Sequence, residues 1–269
     1  MSWWGKLVGG ALGFAMGGPI GAMVGAFAGH QLDQGLKRAA EYDALGHGTG
    51  QHQARAQTAF FTTLFSVMGH LAKADGRVSE TEIQMARNVM QQMQLDEQQK
   101  RFAIELFGKG KAADFPLDEI LDQFHRECSR NRNLMQMFIE ILLHAAYADG
   151  HMHDAERHVF IRICKKIGFS QSEFARLERM VHAQRNFHGQ GQQQAGKSQA
   201  DLLQEAYVAL GVDASASDAE VKKAYRRQMN QHHPDKLVAK GLPEEMIKLA
   251  NEKTQEIKAA YETIKRARN

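Results

Sequence analysis

The chain has 269 residues, 43% of them hydrophobic, enough apolar material for one large domain or two small ones. Its 34 basic and 31 acidic residues leave a formal charge of only +3, which argues against a dedicated nucleic-acid binder, whose domains carry a strong basic excess. Cys128 and Cys164 are too few for a disulfide framework and fit no zinc-ligand spacing, so a reducing compartment is expected for the body of the chain.

The first element is an uncharged run of 23 residues from Leu7 to Gly29, preceded by Lys6 and followed by Asp33. As a helix it would be roughly 34 Å long, enough to cross a hydrocarbon core of about 30 Å. Gly9, Gly13, Gly17, Gly21, Gly25 and Gly29 recur every fourth residue and make one nearly straight stripe. In water each would weaken the helix by about 1 kcal/mol, whereas in lipid a small-residue stripe lets two helices meet backbone to backbone. Trp3 and Trp4 sit where an interfacial aromatic belt is expected. Residues 1–31 therefore read as a single-pass anchor that pairs into a homodimer. Two other readings compete, a signal peptide cleaved after Ala26-Phe27-Ala28 and a soluble hairpin broken near Pro19, but the run is long and glycine-rich for a signal-peptide core. Lys37 and Arg38 outweigh Lys6, which favours a body on the cytoplasmic side.

Residues 32–56 follow as a connector, with Gly46, Gly48 and Gly50 in its polar second half. A second connector, 186–200, is dominated by Gln and Gly and has no apolar face to bury. Between them lies a block over 57–185, and after them one over 201–269; soft connectors predict that the two blocks move relative to each other. The middle block contains an internal repeat: His70-Leu71-Ala72-Lys73-Ala74-Asp75-Gly76 aligns with His144-Ala145-Ala146-Tyr147-Ala148-Asp149-Gly150. Each copy follows an apolar helical run, Phe60 to Leu71 and Leu134 to Ala146, and precedes another, Ile83 to Met93 and Val159 to Ile167. A duplicated helical bundle is the economical interpretation. The acids Asp75, Glu80, Asp149 and Asp154 are candidates for a shared hard cation, but the spacing is not that of an EF-hand. Helix capping accounts for them better, with Gly76 and Gly150 as C-caps and Ser79 with Glu82 as a capping box. His151, His153 and His158 are weaker metal candidates still. The block resembles the TerB-like all-helical family on its two Ala-Asp-Gly elements.

In the last block Leu202, Leu203, Ala206, Tyr207 and Leu210 form a helical face that Gly211 ends. Ser217 and Glu220 open a second helix, with Val221, Ala224, Tyr225 and Met229 inward and Lys222, Lys223, Arg226 and Arg227 on its other faces. A third helix is predicted from near Pro243 to about Arg266. His233, Pro234 and Asp235 fall at the tip between them, followed by Lys236. Proline stops the helix and fixes the backbone, so a carboxylate is held in defined geometry beside four cations, an arrangement suited to steering toward an acidic partner and meeting one arginine. A phosphate-binding use of the cations is disfavoured by the block's balance of 12 basic and 11 acidic residues.

This pattern resembles the J-domain family: Tyr207 with Leu210-Gly211-Val212, Tyr225-Arg226-Arg227, the His-Pro-Asp tripeptide, and Ala259-Ala260-Tyr261-Glu262. The resemblance implies binding to the ATPase domain of a DnaK-type chaperone and stimulation of its ATP hydrolysis. His233, Pro234 and Asp235 would be the essential motif, and Lys222, Lys223, Tyr225, Arg226, Arg227 and Lys236 the docking surface. Leu237 stands where the family usually has Asn. The chain lacks the Gly/Phe-rich, zinc-repeat and substrate-binding segments of full-length DnaJ. Together the three blocks resemble bacterial membrane-anchored DnaJ-like co-chaperones, which implies an all-α regulatory protein of the inner membrane with no catalytic residues and no cofactor. A membrane-bound metal or stress sensor, with the J-domain as output, is the alternative.

Overall fold

A computed structural model describes residues 18–25, 48–76, 78, 80–147, 150–188, 199–243 and 246–268. Every regular element among them is a helix, as the sequence predicts. A short helix, α1, covers 18–25. The middle block then holds α2 (Gly48–Leu71), α3 (Glu80–Gln92), α4 (Glu97–Gly110), α5 (Leu117–Cys128), α6 (Arg132–Ala146), α7 (Asp154–Lys166) and α8 (Gln171–His188). The last block holds α9 (Gln199–Leu210), α10 (Asp218–His232), α11 (Pro234–Val238) and α12 (Ile247–Arg268).

The helix α6 is apolar nearly all round and lies at the centre of the middle block, with residues from Leu134 to Leu143 buried. Phe138 on it packs against Phe124 of α5 and Phe60 of α2, with ring centroids 4.5 and 6.0 Å away. Gly76 and Gly150 take φ of +92° and +97°, the left-handed conformation that only glycine adopts cheaply. They close the two repeated turns and are not the C-caps expected of them, because the helices before them already end at Leu71 and Ala146, the second capped by Tyr147. Two helices the repeat does not announce, α4 and α5, complete the bundle. Asp96 caps α4 by accepting from the Gln98 and Gln99 amides, and Gln99 returns a bond from the Asp96 amide. The crossing of α2 and α4 is close enough that Gly69 faces the Phe107 carbonyl and Gly110 the Ser66 carbonyl. Cys128 and Cys164 are buried free thiols, and burial pushes both up to about 12, so neither is available as a thiolate.

The start of α8 is held by Glu173, whose carboxylate accepts from the Ser170 amide at 2.9 Å and from the Ser170 hydroxyl at 2.8 Å and pairs with Arg132. The Ser170 amide foremost, then Arg132, holds its carboxyl near 2. A carboxyl depressed in the folded state adds stability above its ordinary range and loses it as the pH falls through the folded value. Between pH of about 4.5 and about 2 the wild-type chain is expected to lose stability more steeply than a Glu173→Gln variant. Urea midpoints across that window check this, and parallel curves for the two chains would refute it.

The anchor region is described only in α1. There Ile20 is buried and its amide donates to Gln123 Oε1 of α5 at 2.9 Å. Gly21 and Gly25 lie in this helix; Gly9, Gly13, Gly17 and Gly29 lie outside the described residues, as do Ser79 and Asp149. No helix among the described residues is long and apolar enough to cross a membrane. The connector over 32–56 is corrected in its last part, because α2 already begins at Gly48. Ala56 on it is buried beneath Gly241, whose φ of +102° and lack of a side chain let the last block approach.

The last block has its own core of Ala206, Tyr207, Leu210, Val221, Ile257, Ala260 and Ile264. Gly211, at φ +69°, ends α9. Ser217 caps α10, its amide donating to Glu220 at 2.7 Å while the Glu220 amide donates back to the Ser217 hydroxyl. Near the C-terminus Arg268 lies over the Tyr207 ring and donates to the Tyr207 hydroxyl, Asp218 and the Ala216 carbonyl, tying α12 to α9 and α10. The helix expected from near Pro243 starts at Ile247, and a separate short helix, α11, which the sequence did not announce, follows α10 directly.

Candidate functional site

The capping box at Ser217 sets the phase of α10, and that phase turns Val221 and Ala224 inward and leaves Lys222, Lys223, Arg226 and Arg227 exposed. Tyr225 is half-buried, its ring stacked on Tyr261 of α12 with centroids 4.3 Å apart. It braces the two long helices from the face of α10 that the J-domain resemblance assigns to docking.

The helix breaks at His233, which takes extended backbone (φ −60°, ψ 123°). The cause is Pro234: its ring disfavours the helical conformation of the residue before it, while its fixed φ suits the first position of the next helix. His233 and Asp235 are exposed on either side of the half-buried Pro234, and Lys236, also exposed, folds back to the Asn230 side chain. The expected tip is thus present: one carboxylate and one imidazole on a rigid turn, at the end of a helix bearing four exposed cations. Such a face can steer an acidic surface by charge and place Asp235 for a single bidentate contact.

The other side of the tip is not open. Leu237, Leu242, Met246 and Ala250 are buried in the middle block's core. Gln53 of α2 donates to the Val238 carbonyl at 3.0 Å, Gln57 to the Leu242 carbonyl at 3.3 Å, and Asn131, just before α6, to the Lys240 carbonyl at 2.6 Å. On α6, Glu140 is 4% exposed and meets His232 Nε2 at 3.1 Å and Lys253 Nζ at 3.5 Å, while Gln136 donates to it at 2.8 Å. Burial alone would raise its carboxyl, but the attraction of His232 and Lys253, with the His232 and Gln136 hydrogen bonds, holds it well below the usual carboxylate range. Met180 and Ala183 of α8 are buried, and Met180 receives the Gln228 side chain of α10 at 3.8 Å. The blocks expected to move independently are therefore packed together. Sequence reasoning missed Glu140, His232 and Lys253; the available signal was a single carboxylate within the run Met137 to Leu143.

Among the cation candidates, Glu80 pairs with Arg87 at 3.4 Å, and Asp154 opens α7, its carbonyl accepting from His158 Nδ1 at 2.7 Å. The His153 amide donates to Glu156 at 2.8 Å, a cap of the same helix. Asp75 is exposed. Among the described residues no three His, Cys, Asp or Glu side chains are grouped to hold a metal ion.

Three family models match the chain: the transmembrane domain of co-chaperone DjlA over residues 1–39, the tellurite resistance protein TerB over 61–179, and the DnaJ domain over 205–269. Among curated relatives, a co-chaperone protein DjlA of Coxiella burnetii is 45% identical over 271 residues, covering 100% of this chain and 99% of the relative. One of Vibrio cholerae is 45% identical and one of Yersinia pestis 43%, each covering 99% of this chain and 98% of its own. No solved structure matches the chain.

Proposed function

The chain belongs to the DjlA family of co-chaperones, and from that premise we propose that it recruits a DnaK-type chaperone and stimulates its ATP hydrolysis through His233, Pro234 and Asp235. The observation that carries this reading is the exposed turn bearing those three residues at the end of a helix with four exposed cations, inside the segment that matches a DnaJ domain. In this reading Lys222, Lys223, Arg226, Arg227 and Lys236 draw in an acidic surface of the partner, Asp235 meets a cation there, and Tyr225 keeps α10 and α12 in register. The protein supplies no reacting group; the ATPase chemistry belongs to the partner.

The family's transmembrane segment anchors the chain in a membrane. We place it in the inner membrane as a single-pass anchor with the body on the cytoplasmic side, where a DnaK-type chaperone is reachable. The glycine stripe from Gly9 to Gly29 would pair two chains and raise the local concentration of tips.

Single-turnover ATP hydrolysis by a DnaK-type chaperone, with the full chain in lipid nanodiscs, tests the reading. Wild type is expected to accelerate hydrolysis and His233→Gln to abolish the acceleration. An exposed side chain changes fold stability by no more than about 0.5 kcal/mol, so the variant should melt as wild type does. Equal stimulation by both chains would remove His233 from the mechanism, and none by either would remove the co-chaperone reading.

A further inference from the structure

We propose that the middle block is a positioning element for the tip: Glu140 of α6, through His232 and Lys253, and Gln53, Gln57 and Asn131, through the backbone of residues 238–242, fix how His233 and Asp235 are presented to the chaperone. This rests on the reading of the tip given above.

Four observations converge on it. His232 is the residue immediately before His233; its ring is 2% exposed and stands between two acceptors, the Gln228 carbonyl at 3.0 Å on Nδ1 and the Glu140 carboxylate at 3.1 Å on Nε2. The end of α10 is thereby tied to a side chain 92 positions away in sequence, on the central helix of the other block. Lys253, at 8% exposure, ties α12 to the same carboxylate. A buried carboxylate is costly unless paired, and here two of its partners, His232 and Lys253, come from the two long helices that flank the tip. Third, the segment just beyond the motif exposes little apolar surface of its own: Leu237, Leu242 and Met246 are fully buried and join the hydrophobic cluster of the middle block. Fourth, the three amide side chains that bond the 238, 240 and 242 carbonyls read backbone position alone, so they fix where the segment runs whatever its side chains.

The docking leaves the opposite face open. His233, Asp235, Lys236 and the cations of α10 remain exposed in the packed arrangement, so the contact holds the tip for use and does not cover it. Loosening it should leave charge-driven encounter intact, because that depends on α10, and should impair the step that needs His233 and Asp235 in fixed geometry.

The test uses the full chain in nanodiscs and follows stimulated ATP hydrolysis against co-chaperone concentration. Two variants are compared with wild type: Glu140→Gln, which removes the buried charge without changing shape, and the double variant Gln53→Ala, Asn131→Ala, which loosens the segment without leaving a buried charge unpaired. Amide hydrogen exchange in α2 and α6 confirms that each is folded, and the double variant carries the test alone if Glu140→Gln is not. Maximal stimulation is expected to fall roughly 3- to 10-fold, within the range of coupling through packed elements, while the half-saturating concentration moves less than about twofold. Exchange at 237–243 should quicken. Unchanged maximal stimulation by folded variants, with wild type active, overturns this inference alone. Increased stimulation also overturns it, since the contact would then restrain the tip. A wild-type chain without stimulation overturns the co-chaperone reading, and this inference falls with it.

Discussion

A Gly110→Ala chain is expected to lose about 3 kcal/mol or more of the stability of its middle block, and Gly108→Ala, two residues away on the same helix, to lose none. Glycine inside a helix costs about 1 kcal/mol relative to alanine, so on propensity alone both substitutions should stabilise. At Gly108 the added methyl meets nothing within 4 Å. At Gly110 it would stand well inside 3.0 Å of the Ser66 carbonyl oxygen and 3.1 Å from the His70 amide nitrogen, both backbone atoms of α2. No rotamer change relieves such a contact; the two helices must separate. The same obstruction recurs about one turn away in the same crossing, where a methyl on Gly69 would strike the Phe107 carbonyl. Overpacking that forces side chains and backbone to shift typically costs about 1–3 kcal/mol and occasionally more, and a backbone-to-backbone obstruction belongs at the upper end. Against a total stability of about 5–15 kcal/mol, that loss is large. Denaturant unfolding of the three full-length chains in nanodiscs decides it: a Gly110→Ala midpoint at or above that of Gly108→Ala would mean the helices are not in contact there.

These glycines also show what the sequence does and does not reveal. The 3.6-residue period, the capping residues and the Asp-Gly turns are local, so most helices of the two blocks, and the tip at Pro234, are readable from the chain. A glycine within a helical pattern announces that something approaches closely, but not which helix. Glu140 is similar. Its place among Met137, Phe138, Ile139, Ile141, Leu142 and Leu143 marks a buried carboxylate, yet its partners lie 92 and 113 positions onward, at His232 and Lys253, and no periodicity connects them. The polar second half of the connector over 32–56 misled for the opposite reason. From Gly48 it is helical, and the face it turns to the last block works through Ala56 and through the amides of Gln53 and Gln57 on main-chain carbonyls. A contact made of amides and a methyl group leaves no hydrophobic stripe to detect.

The second large effect is expected from Phe138→Ala. The ring is fully buried, 4.5 Å centroid to centroid from Phe124 and 6.0 Å from Phe60, so removing it opens a cavity at the meeting of α2, α5 and α6. Truncating a buried phenylalanine costs about 3–5 kcal/mol, with the spread set by how far the neighbours can collapse. Collapse is restrained here, because Phe124 and Phe60 also face each other at 6.2 Å and belong to helices held by the rest of the core. The loss should not stay where it is made. Two residues further along α6, Glu140 reaches out of the middle block to His232 and Lys253, and the segment after the tip has its apolar side chains in that same core. The last block, in contrast, keeps a separate core in Ala206, Leu210, Ile257 and Ile264. Hydrogen exchange on the Phe138→Ala chain should therefore quicken in α2, α5 and α6 and, with them, at 237–243, while the amides of 257–264 stay slow. Continued protection at 237–243 with α6 exchanging freely would mean that the tip is supported from within its own block, and the middle block would then have no mechanical hold on the residues that follow Asp235.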